Sequence, residues 1–212
     1  MEMKRLLPAT ALLAVSLAAC GSGADTPEAS AGDAPAAVAA MQAPACFIRG
    51  ATQEEAGARP SPLDSAMVTL GGAEAKLCYG APSANEREVM GGLVPFDTPW
   101  RTGANEATAL HLTFPAQVAG VSLEPGSYSL YTVPTAGDWQ VVVNGIFERW
   151  GIPINEDVMA ADLGSGAVTP EATESFVERM HARFDPISAT EAHLVLEWEN
   201  TRVRIPVVHA GS

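Results

Sequence analysis

The 212-residue sequence predicts a mostly all-β fold, an antiparallel β-sandwich or partly closed barrel with a long loop and short-helix excursion. Two observations carry that expectation. Short runs of alternating or β-branched residues recur beyond about residue 45, separated by Gly, Pro and Asn turn signals. The composition, 47% apolar, 17% charged and 6% aromatic, excludes a wholly disordered chain and a collagen-like or coiled-coil repeat. Residues 45–212 are long enough for a single core that buries about 68 to 70% of the unfolded surface.

The elements follow in chain order. In AMVTLGGAEAKLCYG two apolar runs flank Gly71 and Gly72, a hairpin pattern. Residues 107–114 alternate, with Leu110, Leu112 and Phe114 on a core face opposite Ala109, His111 and Thr113. Pro125 and Gly126 suit the central positions of a type II turn, and SYSLYTVP after them reads as a strand. In WQVVVN, residues Trp139, Val141 and Val143 share a face. Residues 146–169, with four glycines and prolines spread along them, read as a long excursion with a short helix near 156–163. Residues 172–184 fit both periods: Phe176, Met180 and Phe184 have helical spacing, yet the same residues with Glu178 and Ala182 alternate as in a strand. Near the end, Leu194, Leu196 and Trp198 alternate with His193, Val195, Glu197 and Glu199, and a turn at Asn200 returns the chain through Val203, Ile205 and Val207 as a hairpin.

Residues 1–19 are laid out as a signal peptide, with Lys4 and Arg5 ahead of an apolar stretch too short to span a bilayer. Leu17, Ala18, Ala19 and Cys20 resemble the lipobox of bacterial lipoproteins, which implies lipidation of Cys20. An ordinary secreted signal with an incidental cysteine is the alternative. Stable anchoring needs more than one acyl chain, and lipoproteins of this type carry several. The expected location is the cell envelope, extracytoplasmic. Gly21 after the cysteine favours the periplasmic face of the outer membrane if the organism has two membranes. Residues 20–44, rich in Ala, Gly, Ser, Pro and Asp, read as a flexible tether that cannot bury enough apolar area to order itself.

Lys plus Arg number 12 against 25 Asp plus Glu, a formal net charge of -13 with no basic run beyond the first residues, so nucleic acid is excluded as a partner. With Cys20 assigned to lipid, Cys46 and Cys78 remain as an even pair in an oxidising compartment, which favours a disulfide over two buried thiols.

The densest unusual stretch is GGLVPFDTPWRTGANEAT, where Trp100, Arg101, Asn105 and Glu106 stand between turn formers and a strand. Together with CYGAP, LEPGSYSLYTVP and LVLEWENTRVRIPV, it resembles the uncharacterised bacterial family known as domain of unknown function 2911, over about residues 60–208. The resemblance implies an exported β-rich domain, favours strand for residues 176–184, and carries no catalytic residue with it. Cys46 and the loop NEREVM at 85–90 depart from the family pattern.

The motif supports three physical readings. Arg101 paired bidentately with a carboxylate, and Asn105 capping backbone groups, would brace the loop. An exposed Trp100 beside Arg and Asn donors would instead form a platform for a sugar, peptide or carboxylate. A hydrolase would use Glu106 as acid or base, Arg101 to stabilise negative charge and Asp97 as a second carboxylate. The expectation is a non-enzymatic module for an envelope ligand or protein partner, with the hydrolase or a structural interaction subunit as the alternatives. His111, His181, His193 and His209 show no metal-ligand spacing, and neither a nucleophile-elbow nor a phosphate-loop motif occurs, so no metal or cofactor is expected.

Overall fold

In the computed structural model, which describes residues 42–211, two antiparallel sheets pack face to face without closing into a barrel. The first contains β1 (Leu63–Leu70), β2 (Ala73–Gly80), β3 (Ala104–Leu112), β6 (Gly126–Val133), β7 (Trp139–Asn144) and β8 (Asp162–Val168), in that spatial order. The second runs β5 (Val121–Leu123), β4 (Ala116–Val118), β10 (Glu191–His209) and β9 (Glu171–Pro186). The signal peptide, the lipidation at Cys20 and nearly all of the tether lie outside the described residues.

The β1–β2 hairpin forms around Gly71 and Gly72, both at positive φ (60° and 84°), the backbone that a tight two-residue hairpin turn requires. Between the sheets the core gathers Leu77, Leu110 and Leu112 from the first and Leu194, Leu196 and Ile205 from the second, with Trp139, Val141 and Val143 on the shared face foreseen from WQVVVN. Residues 171–186 resolve as strand, with Met180 and Ala182 inward and Phe176 in solvent.

Several local expectations are overturned. Gly126 is not at positive φ, so no type II turn forms there; it opens β6 in register with Leu112. The tight turn lies earlier, at Ala119 and Gly120, whose φ values are 48° and 82°. The C-terminal hairpin at Asn200 is absent. Residues 191–209 form one continuous strand whose pairing with β9 is irregular around Glu199, itself at φ 56°. Such an irregularity moves the inward set from even positions (Leu194, Leu196, Trp198) to odd ones (Val203, Ile205, Val207) without reversing the chain. Within the 146–169 excursion, the short helix α2 (Glu156–Met159) is present, but residues 162–168 form the edge strand β8.

Both faces of β3 are buried, not one. Its second face, with Ala109 and His111, is covered partly by residues 42–60, which form a strap across the first sheet. The strap is fastened at the Ala43 amide, which donates to Glu74 (2.8 Å), at the Pro44 carbonyl, which accepts from Lys76 Nζ (3.0 Å), and at the Cys46–Cys78 disulfide (Cα–Cα 5.6 Å). It also carries the short helix α1 (Gln53–Gly57), opened by a capping box between Thr52 and Glu55.

Candidate functional site

Residues 100–106 form an irregular entry into β3. Thr102 and Asn105 adopt positive φ (56° and 63°), and Gly103 lies at 154°. A Cβ on Gly103 would come within 2.9 Å of Thr108 Oγ1 and 3.0 Å of the Gly80 carbonyl. The bend is held by buried hydroxyls: Thr102 Oγ1 shares a 3.0 Å bond with Thr132 Oγ1, and Thr108 Oγ1 donates to the Thr102 carbonyl at 2.8 Å. This kinked path directs the motif's side chains to two different places.

Glu106 holds the strap, and Asn105 the residue that follows it. Asn105 Nδ2 donates to the Ser61 carbonyl at 2.7 Å. Glu106, buried at 6% exposure, receives Arg59 Nη1 on both oxygens (3.0 and 2.8 Å) and the Arg49 amide at 2.9 Å. Arg59 in turn lies 5.9 Å from the Trp150 ring centroid, a cation–π contact. Sequence reasoning expected a carboxylate to brace Arg101. The structure shows Arg101 in no ion pair among the described residues; the arginine paired within the motif is Arg59, on Glu106, 47 positions before it and beyond any local spacing rule.

Trp100 and Arg101 serve a cleft. Trp100 is half-buried, stacked on Trp198 (centroids 5.9 Å, 24°) and edge-on to Trp139 (6.3 Å, 85°), so it is not a free-standing platform but the outer member of an aromatic cluster. A cleft of about 380 Å³ opens beside it. Buried Trp198, Val94, Gly103 and Ala104 make its base, and exposed Leu93, Pro95, Ile152 and Arg87 its rim. Neither Glu106 nor Asp97 lines it. The paired-carboxylate arrangement expected of a hydrolase is therefore not found there: Glu106 is turned to Arg59, and Asp97 is exposed, in a left-handed turn at φ 58°.

Within the cleft, Arg101 donates from Nε to the Gly103 carbonyl at 3.1 Å, and its stem rests on Gly151, where a Cβ would lie 2.4 Å from Arg101 Cδ. Burial lowers its pKa from the ordinary arginine value, with no compensating carboxylate. Arg87 is held by two backbone carbonyls, Ala84 (2.8 Å to Nε) and Ser83 (2.9 Å to Nη2). Arg87, Ile152 and Trp198 were not singled out for this site from the sequence; three separate loops and strands bring them there.

The four histidines stay apart in role. His111 is fully buried, with Nδ1 2.7 Å from Ser127 Oγ and its ring edge-on to Phe147, and burial together with Lys76 pulls its pKa down to about 4. His209 stacks on Phe114 at 4.5 Å. Among the described residues no group of three or more His, Cys, Asp or Glu is placed to hold a metal ion, and no helix is long and apolar enough to cross a membrane.

A family model described as "Protein of unknown function (DUF2911)" matches residues 61–207. The chain belongs to this family. No curated protein and no solved structure matches it. The DUF2911 match contains all four motif residues and the whole lining of the cleft, whereas the strap residues Cys46, Arg49 and Arg59 precede it.

Proposed function

We propose that this DUF2911 protein is a lipid-anchored, extracytoplasmic binding module, held to a membrane through Cys20, that takes an envelope ligand in the cleft beside Trp100. The observation that carries the binding reading is the cleft itself: about 380 Å³, within the range of small-molecule sites, with Trp100 and Trp198 in its lining beside Arg87 and Arg101. The Cys46–Cys78 disulfide supports an oxidising compartment. Occupied by Arg59, Glu106 offers the cleft no general acid or base, which favours binding over hydrolysis.

Fragment screening of the full-length protein by NMR tests the reading. Hits should shift the indole resonance of Trp100 and the backbone amides of Gly103 and Ala104. Hits confined to another surface, or none from a broad library of neutral and charged fragments, would refute it. Membrane fractionation after Cys20→Ser tests the anchor: the variant should leave the membrane fraction, and an unchanged distribution would remove lipid from the proposal.

A further inference from the structure

The polar groups facing the cleft are sorted by charge in a way that the composition does not foreshadow. The chain carries 25 acidic and 12 basic residues, yet the lining of this cleft holds two arginines and no carboxylate. Four arginines elsewhere are held by acids: Arg59 by Glu106, Arg183 and Arg202 by Glu197, and Arg204 by Asp185 and Glu171, whereas Arg149, like the two in the cleft, donates to backbone carbonyls. A pair of guanidinium groups in a concave, partly apolar wall concentrates anions even on an acidic protein, because the local field outweighs distant screened charge.

Their hydrogen-bond partners narrow the choice of anion. Among the described residues Arg101 spends only Nε, on the Gly103 carbonyl, which leaves its two terminal amino groups as donors in the cleft it lines. That end-on pair matches the two oxygens of a planar carboxylate. Arg87 spends Nε and Nη2 on backbone carbonyls and keeps Nη1 as a third donor. Both heads are thus positioned by the backbone before any ligand arrives, which lowers the ordering cost of binding. Around them lie Trp100, Leu93 and Ile152, apolar surface suited to a flat hydrophobic body.

We infer that the cleft recognises a monocarboxylate with a planar apolar body, its carboxylate on Arg101 and Arg87 and its body against Trp100 and Ile152. This inference rests on the cleft being the binding site and adds the ligand class. It is tested by titrating the full-length protein with indole-3-acetate and with the isosteric neutral indole-3-acetamide, followed by NMR, in wild type, Arg101→Gln and Arg87→Gln. The expected result is at least tenfold tighter binding of the carboxylate, with a smaller gap in 0.5 M salt and in Arg101→Gln, while the amide binds wild type and variant alike. Arg87 is exposed, so Arg87→Gln keeps the test available if Arg101→Gln folds poorly. Equal binding of both probes at Trp100 would overturn the carboxylate assignment and leave the cleft standing. Binding of neutral fragments there with neither indole probe bound would do the same. Failure of every compound to perturb the cleft would overturn both.

Discussion

Replacing Glu106 by Gln removes one charge from a nearly isosteric side chain and so isolates the electrostatic part of the strap's fastening. In the wild type the carboxylate accepts two bonds from Arg59 and one from the Arg49 amide, with the two side chains 7% and 19% exposed. Glutamine keeps one acceptor oxygen but turns an amide toward Arg59, leaving a partly buried guanidinium without its counter-charge. Breaking a buried pair in this way costs about 3 to 5 kcal/mol. Because Arg59 retains some contact with solvent and the disulfide still holds the strap at Cys46, a loss below that scale, roughly 2 to 3 kcal/mol, is expected after allowing for screening. For a domain of this size that corresponds to a fall in melting temperature of about 4 to 12 °C. The assay is differential scanning calorimetry paired with amide hydrogen exchange, in which protection should be lost first across residues 49–60. Arg101→Ala is the internal contrast: it removes one hydrogen bond to a carbonyl and no ion pair, about 1 kcal/mol, so its midpoint should move by no more than about 4 °C. A shift below about 2 °C for Glu106→Gln with unchanged exchange, or a larger loss for Arg101→Ala than for Glu106→Gln, would refute the division of the motif into a strap clamp and a cleft arginine.

The remaining expectations concern acid stability, the disulfide and the support of the cleft. His111 holds its folded-state pKa at about 4 against an ordinary 6.5, so between those values the unfolded chain takes up a proton that the folded one refuses; stability is complete above pH 6.5 and declines as the pH falls toward 4. The loss amounts to up to about 3 kcal/mol, and His111→Gln should show a correspondingly shallower fall in melting temperature over that window; equal falls would sink the assignment. The cysteine pair, 32 residues apart, should give no free thiol on denaturation, and the double Cys46→Ser, Cys78→Ser variant should lose about 3 to 4 kcal/mol in urea unfolding. Gly151→Ala would place a Cβ 2.4 Å from Arg101 Cδ and 2.9 Å from the Asn105 carbonyl, so it should displace Arg101 and perturb the Gly103 amide by NMR; an unchanged spectrum would show that the arginine stem does not rest there.

The sequence made the hairpin at Gly71–Gly72 and the strands β3, β6 and β7 legible because each carries a period-2 pattern beside a turn former. Strand β8 was illegible for a physical reason. Its sequence DLGSGAV lacks a hydrophobic alternation because the chain there passes directly against the β4–β5 turn; a Cβ on Gly166 would lie 1.9 Å from the Ala119 carbonyl. Glycines selected for close approach look like loop glycines in one dimension. The C-terminal strand failed differently: its change of inward parity across Glu199 is the mark of an irregularity in pairing, and a reversal of direction produces the same parity change on paper. At the site, Trp100, Arg101, Asn105 and Glu106 were identified by their density alone. Their partners Arg59, Arg87 and Ile152 come from remote segments, which no spacing rule connects.

The kink at residues 102–105 places the contacts of the strap and those of the cleft within a few residues of each other. Glu106 grips the strap through Arg49 and Arg59 and Asn105 holds Ser61 just beyond it, while Arg101, only a few residues earlier, faces the cleft, and Gly151 touches both through the Asn105 carbonyl and the Arg101 stem. Release of the strap would remove part of the support for the positive-φ backbone at Asn105, while Thr102 stays held by Thr132 and Thr108. Relaxation at Asn105 would reach Arg101 through Gly151, whose amide donates to the Asn105 carbonyl at 2.8 Å and on which the Arg101 stem rests. If the chain is held at a membrane through its N-terminal segment, the strap is also where the domain meets its tether. Two of its fastenings, a disulfide and the Arg59–Glu106 ion pair, lie between that segment and the cleft.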